Sequence, residues 1–278
     1  MNHLLGFGFG FSAQALAAGL KNRGWKISAT SRSIEGVAKI SASGLAGLIF
    51  DANLKIPSDV THLLISAPPD ENGDPVLRNF TEQLGNLKHV QWAGYLSTTG
   101  VYGDKGGDWV DEETPLTPNT TRGQRRLAAE QAWLKTGLPV HLFRLAGIYG
   151  PGRNQLLTVK NGTAKRIVKA GQIFSRIHVD DIAGVLAASI AKPNPSRAYN
   201  VCDDEPCPPQ DVVAYAAELL GLPLPPEIPF EQAELSSMAK SFYADSKRVS
   251  NTRIKTELGY HLQYPSYRVG LSALKSEV

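Results

Sequence analysis

The sequence has few cysteines and no long apolar run. Its 278 residues include two cysteines, Cys202 and Cys207, which are too few for a disulfide framework or a zinc site. No apolar run approaches the roughly 18 residues that a membrane-spanning helix needs. The apolar amino-terminal stretch is not expected to be a secretory signal, because no Lys or Arg precedes it and glycines interrupt it. Two ordinary thiols without an export signal predict a cytoplasmic protein.

The chain also has no large excess of positive or negative charge. The formal net charge is +3, and both signs are mixed along a chain that is 20% charged and 42% hydrophobic. These are ordinary values for a globular protein, and no basic run is dense enough to favour nucleic acid or an anionic membrane. We therefore expect a small-molecule substrate, no nucleic-acid or membrane partner, no metal, and a monomer or homodimer.

The segment His3–Leu20 (HLLGFGFGFSAQALAAGL) places alternating glycines between an apolar run and a helical pattern. In frame it reads G-x-G-x-x-A, the pattern of a dinucleotide-binding turn. Gly8 permits the tight turn, Gly10 lets a pyrophosphate approach the backbone, and Ala13 lets the helix pack closely on the strand. Free N–H groups and the helix dipole then bind the phosphates. A second strand at Trp25–Thr30 completes the βαβ unit, so we favour nucleotide binding over a turn without a ligand. The expected cofactor contacts here are Gly8, Gly10, Phe11, Ser12 and Ala13.

The second strand ends without the acidic residue that NAD-dependent enzymes use. The sequence there is Ser31-Arg32-Ser33, and Arg32 lies 24 residues after Gly8 (32 minus 8). An arginine can fork onto a 2′-phosphate, to which the serines can also donate. The sequence therefore predicts NADP(H) rather than NAD(H). The alternative is a solvated arginine in a surface turn.

Three more cofactor contacts are expected at strand ends. Leu48–Asp51 is a predicted third strand with Asp51 at its carboxyl end, where a carboxylate can accept from an adenine amino group. An exposed strand-end aspartate is the alternative. Ser66 and Ala67 follow a predicted fourth strand, and we expect them beside the bound cofactor. Short apolar runs without strict alternation are typical of strands buried on both faces of a parallel sheet.

The middle of the chain resembles a known family. Leu96–Gly103 (LSTTGVYG) resembles the S-[ST]-x-x-V-Y-G signature of the extended short-chain dehydrogenase/reductase superfamily, which includes nucleotide-sugar epimerases and dehydratases. Further matches follow in the family's order at Glu113–Pro118, Arg144–Gly152, His178–Ala183 and Tyr199–Val201. The resemblance implies an α/β fold, a Rossmann-type doubly wound parallel sheet of about seven strands with a small C-terminal substrate lobe. The expected boundaries are 1–150 plus 178–203 for the NADP-binding core, and 151–177 plus 204–278 for the lobe.

The family's catalytic pattern is incomplete in this sequence. Thr98 matches the Ser or Thr that hydrogen-bonds the reacting oxygen, whereas the family's Tyr and Lys correspond to Arg122 and Arg126 when the chain is aligned on Gly123. Arginine has no acceptor and stays protonated, so Arg122 cannot replace a tyrosine that shuttles protons. Arg126 can still bind the nicotinamide ribose. We expect Arg122 to bind an anionic substrate group, and a solvated helix face is the alternative for both arginines.

The resemblance also assigns residues near the lobe. Ile148 is expected to pass the nicotinamide carboxamide, and Arg176 to point at a substrate phosphate. Asp180 or Asp181 is expected to cap the helix Ile182–Ile190. His178 is expected to be structural.

Together these features predict an NADP(H)-binding oxidoreductase, or an enzyme like the nucleotide-sugar epimerases and dehydratases, acting on a small polar substrate that is anionic or sugar-derived. The alternative is a non-catalytic NADP(H)-binding redox sensor or scaffold protein, which the missing tyrosine favours. Thr98, Arg122 and Arg126 are the expected catalytic residues.

Overall fold

The structure is a computed structural model that describes residues 1–278, except for the side chains of Ser237 and Met238. The strands are β1 (His3–Phe7), β2 (Lys26–Ser31), β3 (Ala46–Ile49), β4 (His62–Ile65), β5 (Trp92–Thr98), β6 (Trp109–Val110), β7 (Val140–Leu145), β8 (Gly147–Tyr149), β9 (Arg166–Val168), β10 (Arg176–His178), β11 (Ala198–Val201), β12 (Glu227–Pro229) and β13 (Arg248–Val249).

The α-helices are α1 (Phe11–Lys21), α2 (Ile34–Ala42), α3 (Pro75–Gly85), α4 (Thr121–Leu134), α5 (Gln155–Lys160), α6 (Val179–Ala191), α7 (Pro209–Leu220), α8 (Ser237–Phe242), α9 (Thr252–Thr256) and α10 (Tyr267–Leu274). Short 3₁₀ turns cover Thr99–Tyr102, Phe230–Gln232 and Lys275–Glu277. In the described chain no helix is both long enough and apolar enough to cross a bilayer.

A parallel sheet of seven strands, counted over the described residues, forms the centre of the fold in the order β11-β7-β5-β4-β1-β2-β3. The predicted doubly wound sheet is therefore confirmed. The chain starts at β1 in the middle, moves outward to β3, and returns to β4 on the other side of β1. Ligands of such sheets bind beyond the carboxyl ends of the strands, where the direction of winding reverses.

Helices cover both faces of the sheet and bury its apolar side chains. On one face α1 packs against α6, and their Leu16 and Val185 share a buried cluster. On the other face Phe80 of α3 and Trp133 of α4 belong to a second cluster. Strands β4 and β7 are buried along their whole length, as expected for parallel strands that helices cover on both faces.

A third buried cluster lies outside the sheet and includes Leu156 of α5, Val212 of α7 and Leu271 of α10. It joins segments of the range predicted as the substrate lobe. Ile254 and Leu258 also fall in that range, but they pack into the first cluster with the sheet. The carboxyl-terminal part of the chain thus contacts both the core and the third cluster.

The start of α6 differs from the prediction that Asp180 or Asp181 caps a helix over Ile182–Ile190. The helix begins at Val179, and His178 caps it by accepting from the backbone N–H of Asp180 at 3.2 Å. Asp181 instead accepts from the hydroxyl of Tyr260 at 2.8 Å. Because both aspartates lie within the first turn, neither can occupy the capping position.

Candidate functional site

A cleft of about 600 Å³ lies at the carboxyl ends of the central strands, between the sheet and the third cluster. Ten predicted site residues line it: Gly10, Phe11, Ser12, Ala13, Ser66, Thr98, Arg122, Arg126, Ile148 and Arg176. The others lie outside its wall: Gly8, Ser31, Arg32, Ser33, Asp51 and Ala67. The fold therefore brings most of the predicted contacts to one place.

The glycine-rich turn leaves room for a ligand at the start of α1. Gly8 has a φ of +88°, and a Cβ there would lie 2.9 Å from the Ser66 Oγ and 3.2 Å from the Ala67 nitrogen, so glycine is required. A Cβ on Gly10 would meet nothing within 4 Å. No side chain caps α1, whose first N–H groups lie beside this open space. The turn thus fits the pyrophosphate of a dinucleotide.

The tips of β1, β2 and β3 adjoin one another beside this turn. The Gly8 N–H donates to the Thr30 hydroxyl at 2.9 Å, and the Phe50 N–H donates to the Ser31 carbonyl at 2.7 Å. Arg32 lies exposed just beyond β2, and over the described residues it makes no side-chain hydrogen bond or ion pair. Its guanidinium is available to a ligand.

The neighbouring polar groups are partly engaged. The hydroxyl of Ser33 accepts from the Gly36 N–H at 3.1 Å and caps α2, and the hydroxyl of Ser31 accepts from the Ser33 N–H at 3.3 Å. Both hydroxyls keep a proton to donate. Asp51 lies two residues beyond β3, in a turn where it accepts from the Asn53 N–H at 2.8 Å. The third strand therefore ends earlier than predicted, and Asp51 is exposed.

Thr98 is the last residue of β5 and lines the cleft. Its Oγ1 accepts from the Gly100 N–H at 3.2 Å, where it caps the 3₁₀ turn that follows. Because the oxygen is the acceptor in this bond, the hydroxyl proton remains available for an oxygen atom of a ligand.

Helix α4 packs closely on that 3₁₀ turn, and this contact fixes its two cleft arginines. A Cβ on Gly123 would come within 2.6 Å of the Gly100 carbonyl oxygen, so the approach requires glycine. Thr120 caps the helix by accepting from the Gly123 N–H at 3.1 Å. Arg122 and Arg126 lie one turn apart and both line the cleft.

The two arginines have different surroundings. Arg126 Nη1 donates to the Leu96 carbonyl at 2.6 Å and to the Tyr95 hydroxyl at 3.3 Å, which attaches this guanidinium to β5. The guanidinium of Arg122 lies 5.3 Å from the ring centroid of Phe242. Desolvation in the cleft, and then the charges of Arg126 and Arg153, lower the pKa of Arg122.

A buried polar network that the sequence analysis missed lies behind Thr98. Arg144 of β7 pairs with Glu130 of α4 at 3.0 Å, and its Nη1 donates to the Tyr102 hydroxyl at 3.0 Å. Glu130 also accepts from the Ser97 hydroxyl. Tyr102 donates to Asn200 of β11 at 2.7 Å, so the network links strands β5, β7 and β11 to α4.

Arg176 is buried at 8% exposure, and its Nη1 donates to the Phe174 carbonyl at 3.2 Å and the Cys207 Sγ at 3.1 Å. Asp203 lies nearby, and burial raises the pKa of its carboxyl to about 8, although the Arg176 charge acts against this. In the described chain the Asp203 Oδ2 has no hydrogen-bond partner. Cys202 and Cys207 are buried free thiols.

The cleft is strongly cationic. Over the residues that the structure describes, its wall contains six basic side chains and a single acidic one, Asp245. The basic residues are Arg122, Arg126, Arg153, Lys165, Arg176 and Lys247. Sequence reasoning missed Arg153 and Lys247. The described residues form no group of His, Cys, Asp or Glu that could hold a metal ion.

Comparisons with known proteins give a curated relative that covers nearly the whole chain. No protein-family model matches the chain. The Escherichia coli K12 protein YeeZ is 30% identical over 276 residues, which cover 93% of this chain and 94% of YeeZ.

Two solved structures are similar over the full length. A conserved protein of unknown function from Silicibacter pomeroyi has a TM-score of 0.95 and 54% identity, with 100% of this chain and 99% of that chain covered. The human epimerase family protein SDR39U1 (isoform 2), solved with NADPH, has a TM-score of 0.78 and 19% identity, with both chains covered completely. At 19% identity, the human protein supports the fold alone.

Proposed function

This chain belongs to one family with YeeZ, and we propose that it is an NADP(H)-dependent oxidoreductase or epimerase of the extended short-chain dehydrogenase/reductase superfamily, whose substrate carries an anionic group. The main support for this proposal is the set of residues that form the cleft. It contains an open glycine-rich turn, a threonine hydroxyl with a free proton, and six basic side chains against one carboxylate.

Different residues of this chain bind different parts of the cofactor. The glycine-rich turn and the start of α1 hold the pyrophosphate, and Arg32 with the hydroxyls of Ser31 and Ser33 holds the 2′-phosphate. The exposed, unpaired guanidinium of Arg32 supports NADP(H) over NAD(H). A nicotinamide cofactor supplies or accepts a hydride when bound.

Three side chains act on the substrate. The Thr98 hydroxyl donates a hydrogen bond to the reacting oxygen and polarises the carbonyl. Arg126, held by β5, binds the nicotinamide ribose. Arg122 binds the anionic group, because its guanidinium has an aromatic ring on one side and no acidic partner among the described residues. Arg176 supplies further positive charge at the lobe side.

A screen for hydride transfer tests this proposal. The protein is incubated with NADPH and pairs of carbonyl compounds that differ only in a carboxylate or phosphate group, and NADPH oxidation is followed by absorbance. We expect turnover of anionic members only, and a rise in KM of about 10- to 100-fold in Arg122→Gln, which corresponds to the loss of a charged hydrogen bond. Arg125→Gln, on the same helix but outside the cleft wall, is the matched control.

Two results of this screen would contradict the proposal. Turnover that does not depend on the anionic group would refute the role of Arg122. NADPH binding without hydride transfer to any carbonyl would favour a non-catalytic redox sensor or scaffold protein, for which the arginine at the family's tyrosine position is the supporting observation.

A further inference from the structure

A reduction of a carbonyl needs a proton as well as a hydride, and the proposed site has no phenol at the family's position. Arg122 stands there and cannot release a proton near neutral pH. Among the described groups of the cleft wall, Tyr149, Tyr243, Asp245 and Lys247 are the remaining candidates besides the other cations. Tyr149 is 4% exposed and its hydroxyl donates to the Ser266 carbonyl, which leaves it poorly placed to donate to a substrate.

Lys247 is the buried amine of this wall. It is 7% exposed, and its Nζ lies 3.3 Å from the Asp245 Oδ2. Asp245 Oδ1 is buried and has no partner in the described chain. The carboxylate can accept from the amine in either protonation state, because the ammonium and the neutral amine both carry N–H donors. Lysines are seldom so deeply buried unless their charge is paired, as it is here with Asp245.

The backbone around Lys247 is fixed on both sides. The Ser246 N–H donates to the Asp104 carboxylate at 2.8 Å, and the Ser246 carbonyl accepts from Lys105 and Gly107 at 3.0 Å each. On the other side, the Val249 N–H donates to the Ser175 hydroxyl at 3.1 Å. Lys247 therefore lies between the loop that follows the 3₁₀ turn after Thr98 and the segment that leads into β10.

The surroundings lower the pKa of the Lys247 ammonium group towards neutral pH. Burial lowers the pKa of Lys247, the carboxylates of Asp245 and Asp104 act against this, and the charge of Lys105 adds to the lowering. By contrast, burial raises the pKa of Tyr243. A group that transfers protons works best when its pKa lies near the working pH, which favours the lysine over the tyrosine.

We propose that Lys247, held by Asp245, is the proton-transfer group of this enzyme in place of the missing phenol. The inference rests on the proposed function. As the substrate carbonyl is reduced, an N–H bond of the ammonium breaks, an O–H bond forms on the substrate oxygen, and the neutral amine recovers a proton from water. In the oxidative direction the neutral amine takes the proton from the substrate hydroxyl.

Competitive acetylation tests the amine without any substrate. The full chain, with and without NADP⁺, is treated with trace acetic anhydride across a pH series, and the peptide that contains Lys247 is quantified by mass spectrometry. The peptide with the exposed Lys88 serves as the internal standard for the reagent. We expect the Lys247 midpoint to lie below the usual lysine value of roughly 10.4. A midpoint at the usual value, or no acetylation at any pH, overturns the proposal.

Variants supply the second readout, on an anionic carbonyl compound that the unaltered enzyme reduces. Lys247→Met should lower kcat by about 100-fold or more with NADPH affinity unchanged. Lys247→Arg, which keeps the charge but cannot release a proton, should not restore turnover. Loss of turnover in Tyr243→Phe but not in Lys247→Met would refute the proposal. A chain that binds no nicotinamide dinucleotide would refute the proposed function, whereas an ordinary acetylation midpoint would refute the role of Lys247 alone.

Discussion

Arg144 and Glu130 form an ion pair at 3.0 Å in the interior of the protein, with both side chains at most 5% exposed. The pair joins β7 to α4, the helix that carries Arg122 and Arg126. Its neighbours Ser97 and Tyr102 lie on the strand end and turn that flank Thr98. The geometry of the site therefore depends on a contact between two residues that do not line the cleft.

Removal of one partner of this pair should destabilise the fold. Glu130→Ala leaves the Arg144 charge buried without a carboxylate, which costs about 3–5 kcal/mol of the free energy of unfolding. Urea denaturation measures this loss. The matched control is Glu205→Ala, which breaks the exposed pair of Glu205 with Arg268 at 3.0 Å and should cost about 1 kcal/mol or less. Equal losses in both variants would contradict the importance of the buried pair.

A methyl group in the glycine-rich turn should weaken the binding of NADPH without changing the stability of the fold. Gly10→Ala places its Cβ in open space, so the melting temperature should stay within a few degrees of the original. The same methyl would occupy the approach of the pyrophosphate and weaken NADPH by about 10- to 100-fold, as measured by calorimetry. Gly19→Ala, within α1 and equally free of contacts, is the control and should bind NADPH normally. Unchanged affinity in Gly10→Ala would place the cofactor elsewhere.

Arg32 should determine the choice between the two nicotinamide cofactors. Arg32→Ala removes the guanidinium that we assign to the 2′-phosphate, so NADPH affinity should fall by about 10- to 100-fold while NADH affinity changes little. Arg23→Ala, an exposed arginine beyond α1, controls for the general loss of positive charge. A parallel loss for both cofactors would show that Arg32 does not contact the 2′-phosphate.

Asp203 should make the stability of the protein depend on pH. Burial raises the pKa of its carboxyl to about 8, whereas an unfolded aspartate titrates near 4. Between these values the native state binds more protons than the unfolded state, so this contribution to stability is complete below about pH 4 and is lost as the pH rises through about 8.

The variant Asp203→Asn, which cannot ionise, isolates this contribution. Relative to the unaltered chain, it should gain up to about 1.4 kcal/mol in free energy of unfolding per pH unit as the pH rises from about 5 to 8. Urea titrations of both proteins at several pH values measure the difference. Parallel pH profiles would mean that the native carboxyl is ionised throughout this range.

The sequence predicts local features of this protein well, because each depends on neighbouring residues. The turn at Gly8 and Gly10 follows from the backbone that a strand-to-helix turn requires, and the buried strand β4 follows from its short apolar run, Leu63–Ile65. The predicted cap of α6 is wrong because His178, one residue before the helix, already accepts from the backbone N–H of Asp180 in its first turn.

The remainder of the site depends on contacts between distant segments. Glu130 and Arg144 are 14 residues apart, and sequence alone does not show that one faces the other. Lys247 enters the cleft because its neighbour Ser246 is hydrogen-bonded to Asp104, 142 residues away. Since an isolated lysine has no pattern of its own, only the folded arrangement identifies it.

Binding of NADP(H) in the cleft can be measured by a calorimetric titration of the unaltered protein with NADPH and NADH, side by side. We expect one site per chain, with NADPH bound at least about tenfold more tightly than NADH because of the additional contacts with the 2′-phosphate. If neither cofactor binds, the proposed dinucleotide site is wrong, because the glycine-rich turn would then have no dinucleotide to hold.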